Sequence, residues 1–261
     1  GTAQKIQGCI DAGDLEGAEV ARTAVPKLQL GSSGWVDVLD CEDILEAAFN
    51  QASQPPLIQY PGALGQFFSH RDCLHRDCLV SILGQKGSKK SFWLFDMAWR
   101  ALLAQHRIAF FSVGDMTKLQ WMMRLFKRAA AAPIRPGMVK WPTRIGGKDD
   151  GYELSHELLD FPHPLDRQLA GKALLSLVED GNRKDLFRLS CHPARSVSIN
   201  SIEAILTDWS SSGFVPDLVV IDYADLLMPV DGREQHRDAI NTTWILMRAL
   251  SQKLHCLLLT A

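Results

Sequence analysis

The sequence is poor in cysteine for its length, with six in 261 residues. That is too few for a disulfide scaffold, so a chain of this size is expected to rest on a hydrophobic core in a reducing compartment. It also lacks an excess of charge. Its 28 Lys and Arg against 30 Asp and Glu leave a net −2, which excludes a global basic field and confines any nucleic-acid contact to a local patch. No apolar run approaches the roughly 20 residues of a membrane helix, and no signal-peptide pattern is visible. The expectation is a soluble, cytoplasmic protein with no membrane partner. A hydrophobic content of 46% is enough for one large core or two small ones.

The most informative stretch is residues 78–99, CLVSILGQKGSKKSFWLFDMAW. Residues 79–83 read as a short buried strand. A glycine-bearing loop follows over 84–89, and Lys90 and Ser91 open an amphipathic helix carrying Phe92, Leu94, Phe95, Ala98 and Leu102. Strand, glycine loop, Lys-Ser, helix is the layout of a P-loop. Loop amides and the first helical N–H groups converge on one point, where the helix dipole adds positive potential. Gly84, Gly87, Ser88, Lys89, Lys90 and Ser91 are therefore the candidate phosphate cradle. Lys90 would reach the outer phosphates of a nucleotide, and the Ser91 hydroxyl would hold Mg²⁺. The pattern asks for glycine just before the lysine, and this chain has Lys89 there. A basic turn before a helix is the structural alternative.

Later in the chain, residues 218–221 form an uninterrupted apolar run that ends in Asp222. A buried strand that delivers a carboxylate beside bound phosphates is what a Walker B element requires. One Asp after one strand is ordinarily a cap or a turn, but its occurrence downstream of a candidate P-loop makes the pair specific. Between the two, residues 108–113 read as a second buried strand ending in Gly114-Asp115. Thr117 then caps a helix whose core face carries Leu119, Met122, Met123, Leu125 and Phe126, with Arg124, Lys127 and Arg128 on its flank. Asp115 is placed to orient or deprotonate an attacking water, although Gly-Asp is equally a turn composition.

The remaining stretches organise around these. Residues 1–56 read as a helical annex or linker, punctuated by Pro26 and by Pro55-Pro56. Its short helices bury little alone and must pack on the core or on a neighbouring subunit. HRDC occurs at residues 70–73 and again at 75–78, but its spacing matches no common zinc finger and no second ligand pair is evident. Residues 133–164 are expected to be an irregular insertion, because Pro133, Pro136, Pro142, Pro162, Pro164 and Gly146-Gly147 interrupt long elements. Trp141 with Lys140, Arg144 and Lys148 is the alternative, a nucleic-acid-facing loop. Helices over 165–178, 198–209 and 239–254 and strands over 186–190 and 256–259 complete an alternating pattern. That pattern predicts a doubly wound, mainly parallel α/β sheet over 57–261. The last strand is expected to be central, so the sequence is expected to continue beyond Ala261.

Residues 84–98, 110–125 (FFSVGDMTKLQWMMRL) and 217–227 (DLVVIDYADLL) together resemble the RecA-like ATPase domain of DnaB-type replicative helicases and their phage and plasmid RepA-like relatives. The resemblance implies a P-loop NTPase that hydrolyses ATP with Mg²⁺ at the interfaces of a homo-oligomeric ring, usually a hexamer, on single-stranded DNA. It gives catalytic roles to Lys90, Asp115 and Asp222, with Mg²⁺ held by Ser91 and Asp222. In that family the acid after the second strand is usually Glu, and Asp115 is its counterpart, one residue offset. Lys89 and Asp115 are also the features that favour a second reading, a RecA-like module that binds nucleotide or a partner without turnover. A RecA-like regulator or recombinase is a third.

Overall fold

The computed structural model describes residues 49, 54–85, 87–114, 116–148, 151–179, 185–230 and 236–261. The chain divides into two units, residues 1–55 and 56–261, and the elements from Gly62 to Thr260 belong to the second. Apart from the helical Phe49, the helices expected in the annex lie outside the described residues, as does Asp115.

The second unit runs α1 (Gly62–Arg71), β1 (Leu79–Ser81), α2 (Lys90–Leu103), β2 (Ile108–Val113), α3 (Lys118–Ala130), β3 (Gly137–Lys148), β4 (Gly151–Phe161), α4 (Arg167–Glu179), β5 (Phe187–His192), α5 (Ile199–Ser211), β6 (Leu218–Asp222), a 3₁₀ turn (Ala224–Leu226), α6 (His236–Lys253) and β7 (Leu257–Thr260). Five strands form one parallel sheet in the order β1-β7-β6-β2-β5. The three inner strands, β7, β6 and β2, are buried at every position, and the two edge strands are only half-buried. This is why the inner strands read as mainly apolar runs without alternation: both of their faces are covered.

Side chains alternate between two cores. Phe110, Leu218, Val220, Leu257 and Leu259 face one way and pack with Leu94, Ala98 and Leu102 of α2 and Trp121 of α3. Ala109, Phe111, Val219, Ile221 and Leu258 face the other way and meet Ile202 and Leu206 of α5 and Met247 and Leu250 of α6. Helices thus cover both faces, as the doubly wound pattern requires. Thr117 caps α3 through a capping box with Gln120. Ser198 caps α5 through Ser201. No described helix is long and apolar enough to cross a membrane.

One expectation needs correction. Residues 133–164 are not irregular: β3 and β4 form an antiparallel two-stranded ribbon apart from the main sheet. Its prolines and glycines are tolerated because a free ribbon has two open edges, and the register shifts at Pro142/Arg144, where a ladder bond is dispensable. Trp141 pairs with Glu157 and Lys140 with Leu158, so these two neighbours lie on opposite faces of the ribbon.

The repeated HRDC has structural roles at both copies. Asp72 ends α1 in the left-handed region (φ 48°) and pairs with His75 Nε2 at 2.9 Å. Arg76 pairs with Asp217, and its Nη1 donates to the His255 carbonyl at 3.0 Å. The Asp77 carboxylate lies 3.1 Å from His255 Nδ1, and Arg248 donates to the Asp77 carbonyl at 2.6 Å. The second copy therefore clasps the entry to β1 onto the α6–β7 turn. Among the described residues no group of three or more His, Cys, Asp or Glu is placed to hold a metal.

Candidate nucleotide site

The site forms at the C-terminal end of the inner strands, where loop amides and helix starts collect. After β1 the chain makes a turn closed by the Ser88 N–H on the Gln85 carbonyl at 3.1 Å. Two positions explain the loop's composition. A side chain at Gly84 would meet Ser88 Oγ at 2.4 Å, so the loop folds back closely over this glycine and a larger residue there would have to displace the Ser88 hydroxyl. Gly87 has φ +88°, in the region that favours glycine. Lys89 follows as N-cap of α2 with φ 60° and ψ 34°, and no side chain caps the helix there. The first N–H groups of α2 and its dipole are thus left facing the loop.

Lys89 occupies the position where the motif asks for glycine, in the left-handed conformation that glycine adopts at no cost. A lysine there carries strain of about 1–2 kcal/mol. Lys89→Gly removes that strain but frees the unfolded chain, so its stability is expected within about 1 kcal/mol of wild type. Lys89→Val adds β-branching and is expected to fall about 1–2 kcal/mol below Lys89→Gly, as urea unfolding would read directly.

Asp222 ends β6, buried, and accepts a hydrogen bond from the Ser91 hydroxyl at 2.9 Å. The two residues singled out from separate motifs, 131 positions apart, therefore meet. Lys90 extends toward the same place, its Nζ 5.6 Å from the centroid of the Tyr223 ring. The turn that carries Asp222 is held from β7. Thr260 Oγ1 donates to the Ile221 carbonyl at 2.9 Å and accepts from the Ala224 N–H at 3.1 Å, fully buried. Thr260→Val keeps the shape but strands both backbone groups, and is expected to cost about 1–3 kcal/mol. Thermal unfolding checks the cost, and nucleotide affinity should fall with it because Asp222 loses its anchor.

Gly114 follows β2 at the same end of the sheet, since Ser112 pairs with Asp222. Its φ is +103°, and a side chain there would meet Leu226 Cδ1 at 2.4 Å. Asp115, next in the chain, has no described position.

A cavity of about 890 Å³ opens over the loop. Its floor is formed by Gly87, Ser88, Lys89, Lys90 and Ser91. Its walls include Phe92, Phe95 and Tyr223 and, from α3, Arg124, Lys127 and Arg128. Phe92, expected on the core face of its helix, is 54% exposed and lines this space. The basic side of α3 was legible only as a helix flank. What aims it at the loop is the parallel order of β2 and β6, which no local pattern shows. A triphosphate fits a space of this size and sign of charge, and a hydroxyl with one carboxylate is the donor set that Mg²⁺ takes when phosphates supply its other oxygens.

Behind the cavity, α2 carries a buried carboxylate that sequence reasoning passed over. Asp96 accepts from Arg128 Nη2 at 2.7 Å on Oδ1, and from Arg100 Nε at 2.9 Å and the Tyr60 hydroxyl at 3.1 Å on Oδ2. Burial, and then the Asp96 charge, push the Tyr60 phenol well above its ordinary pKa, so it remains a donor to that carboxylate at physiological pH. The Arg100 guanidinium also lies 4.2 Å from the Tyr60 ring centroid.

No protein-family model matches this chain, and no curated protein does. Solved structures do. One of them, an ATPase domain, superposes with a TM-score of 0.59 at 13% identity, over 86% of this chain and 71% of that one. The fold, a parallel five-stranded sheet with helices on both faces, is shared with that domain. A structure of a DnaB-like replicative helicase, described with its interactions with primase, superposes with a TM-score of 0.57 at 13% identity. It covers 99% of this chain, which spans about half (54%) of that one. At such identities the likeness concerns the fold alone, and the chemistry has to be argued from this chain's own side chains.

Proposed function

We propose that residues 57–261 are an ATP-binding and hydrolysing motor domain of the kind that drives DnaB-type replicative helicases and RepA-like ATPases. In this reading residues 1–56 serve as a linker. The observation that carries it is the 2.9 Å hydrogen bond to Asp222 from Ser91, a residue that lines a cavity walled by cations. Loop amides from Gly87 to Ser91, together with Lys90, neutralise phosphate charge. Ser91 and Asp222 hold Mg²⁺, which supplies further neutralisation of the phosphate oxygens. Asp115 is assigned to the attacking water by its place in the sequence. The assembly is a cytoplasmic homo-oligomeric ring, hexameric as in the family, acting on single-stranded DNA in phage, plasmid or bacterial replication.

ATP turnover by the full chain, with and without single-stranded DNA, tests this. DNA-stimulated release of phosphate supports the motor. Mg²⁺-dependent binding without release supports the second reading, a nucleotide-binding module, which the strained Lys89 favours. Absence of both binding and release rules out the proposal.

A further inference from the structure

Arg128 lies in the last turn of α3 and reaches the cavity wall. A long side chain on a surface helix would ordinarily sweep many rotamers and lose entropy on meeting a ligand. Here it is held from behind. Its Nη2 donates to Asp96 Oδ1 at 2.7 Å, and its guanidinium lies 5.9 Å from the centroid of the Trp99 ring. The Asp96 carboxylate cannot rotate to follow another partner, because Arg100 and the Tyr60 hydroxyl hold its other oxygen. Its side chain is only 12% exposed, that of Arg128 38%.

We propose that Asp96 is a positioning residue that fixes the Arg128 guanidinium against the cavity so that it meets the phosphate groups of a bound nucleotide. The assignment rests on the nucleotide reading and deepens it by naming a same-chain cation for the phosphates. A guanidinium suits the task and an ammonium does not: the planar fork spends one N–H on Asp96 and keeps others for the ligand. One carboxylate lies between two guanidiniums, so the cluster remains net positive toward an entering anion. Tyr60 extends the chain of contacts to the segment that enters the domain, and Tyr60→Phe should loosen Arg128 slightly.

The test is calorimetric titration of the full chain with ATP, ADP and AMP, for wild type, Asp96→Asn, Arg128→Ala and the double variant. Arg128→Ala is expected to weaken ATP by about tenfold and AMP much less. Asp96→Asn should lose about three- to tenfold for ATP, and the double variant should bind no worse than Arg128→Ala alone, the non-additivity of two residues acting as one unit. Should Asp96→Asn fail to fold, Tyr60→Phe takes its place, with a loss of about two- to threefold that vanishes in the Arg128→Ala background. Losses that add independently of Arg128, or that are equal for ATP and AMP, assign Asp96 a purely structural role and overturn the proposal while leaving the nucleotide site intact. Wild type that binds none of the three overturns the nucleotide reading and this assignment with it.

Discussion

Lys90→Ala is expected to raise the Kd for Mg-ATP by about 100-fold or more and to reduce turnover to background, the scale of loss when one preorganised charged donor is removed from a phosphate-stabilising site. The effect is large because the cavity is partly enclosed, and a cation in such surroundings acts through a lower effective dielectric than water. The fold should tolerate the change. Lys90 is the first residue of α2, and its contact with the Tyr223 ring at 5.6 Å is worth about 0.5–1 kcal/mol at such a site. Thermal unfolding beside calorimetric titration separates the two. A Tm near wild type with nucleotide binding lost is the predicted pair. Unchanged affinity would remove Lys90 from the phosphate site.

Asp222→Asn should act differently, through the cation. The amide oxygen can still accept the Ser91 hydroxyl that Asp222 now accepts at 2.9 Å, so the turn held by Thr260 is expected to stay in place. The carboxylate charge is lost, and with it the hard anionic ligand that Mg²⁺ prefers. Turnover is expected to fall by about 100-fold or more. Affinity for ATP measured in EDTA should remain within about threefold of wild type, so that the ratio of Kd values with and without Mg²⁺ collapses toward one. The opposite pattern, with Mg²⁺ dependence kept and EDTA affinity lost, would make Asp222 a structural residue of the loop.

The sheet was legible because its inner strands are covered on both faces. A mainly apolar run at 108–113 and an unbroken one at 218–221 correspond to strands buried at every position, and their parallel direction follows from the alternation with helices. The site was legible to the extent that its parts are local. A glycine loop before a helix and a carboxylate after a strand each follow from short-range backbone geometry. What escaped was set by tertiary placement. Arg124, Lys127 and Arg128 are a solvated flank in one dimension and become a cavity wall only when β2 lies beside β6. Asp96 sits among apolar residues, and nothing in its neighbours announces Arg128 thirty-two positions on. The β3–β4 ribbon was hidden by prolines and glycines that would break an inner strand but not a free hairpin. Lys89 was legible as a departure, yet only the structure gives it a left-handed backbone.

The most direct measurement is calorimetric titration of ATP into the full-length chain, once with Mg²⁺ and once with EDTA. Saturable binding that tightens with Mg²⁺ is predicted, because the phosphates and the Ser91–Asp222 pair would then share one cation. No saturable binding at millimolar ATP, or binding indifferent to Mg²⁺, would contradict it.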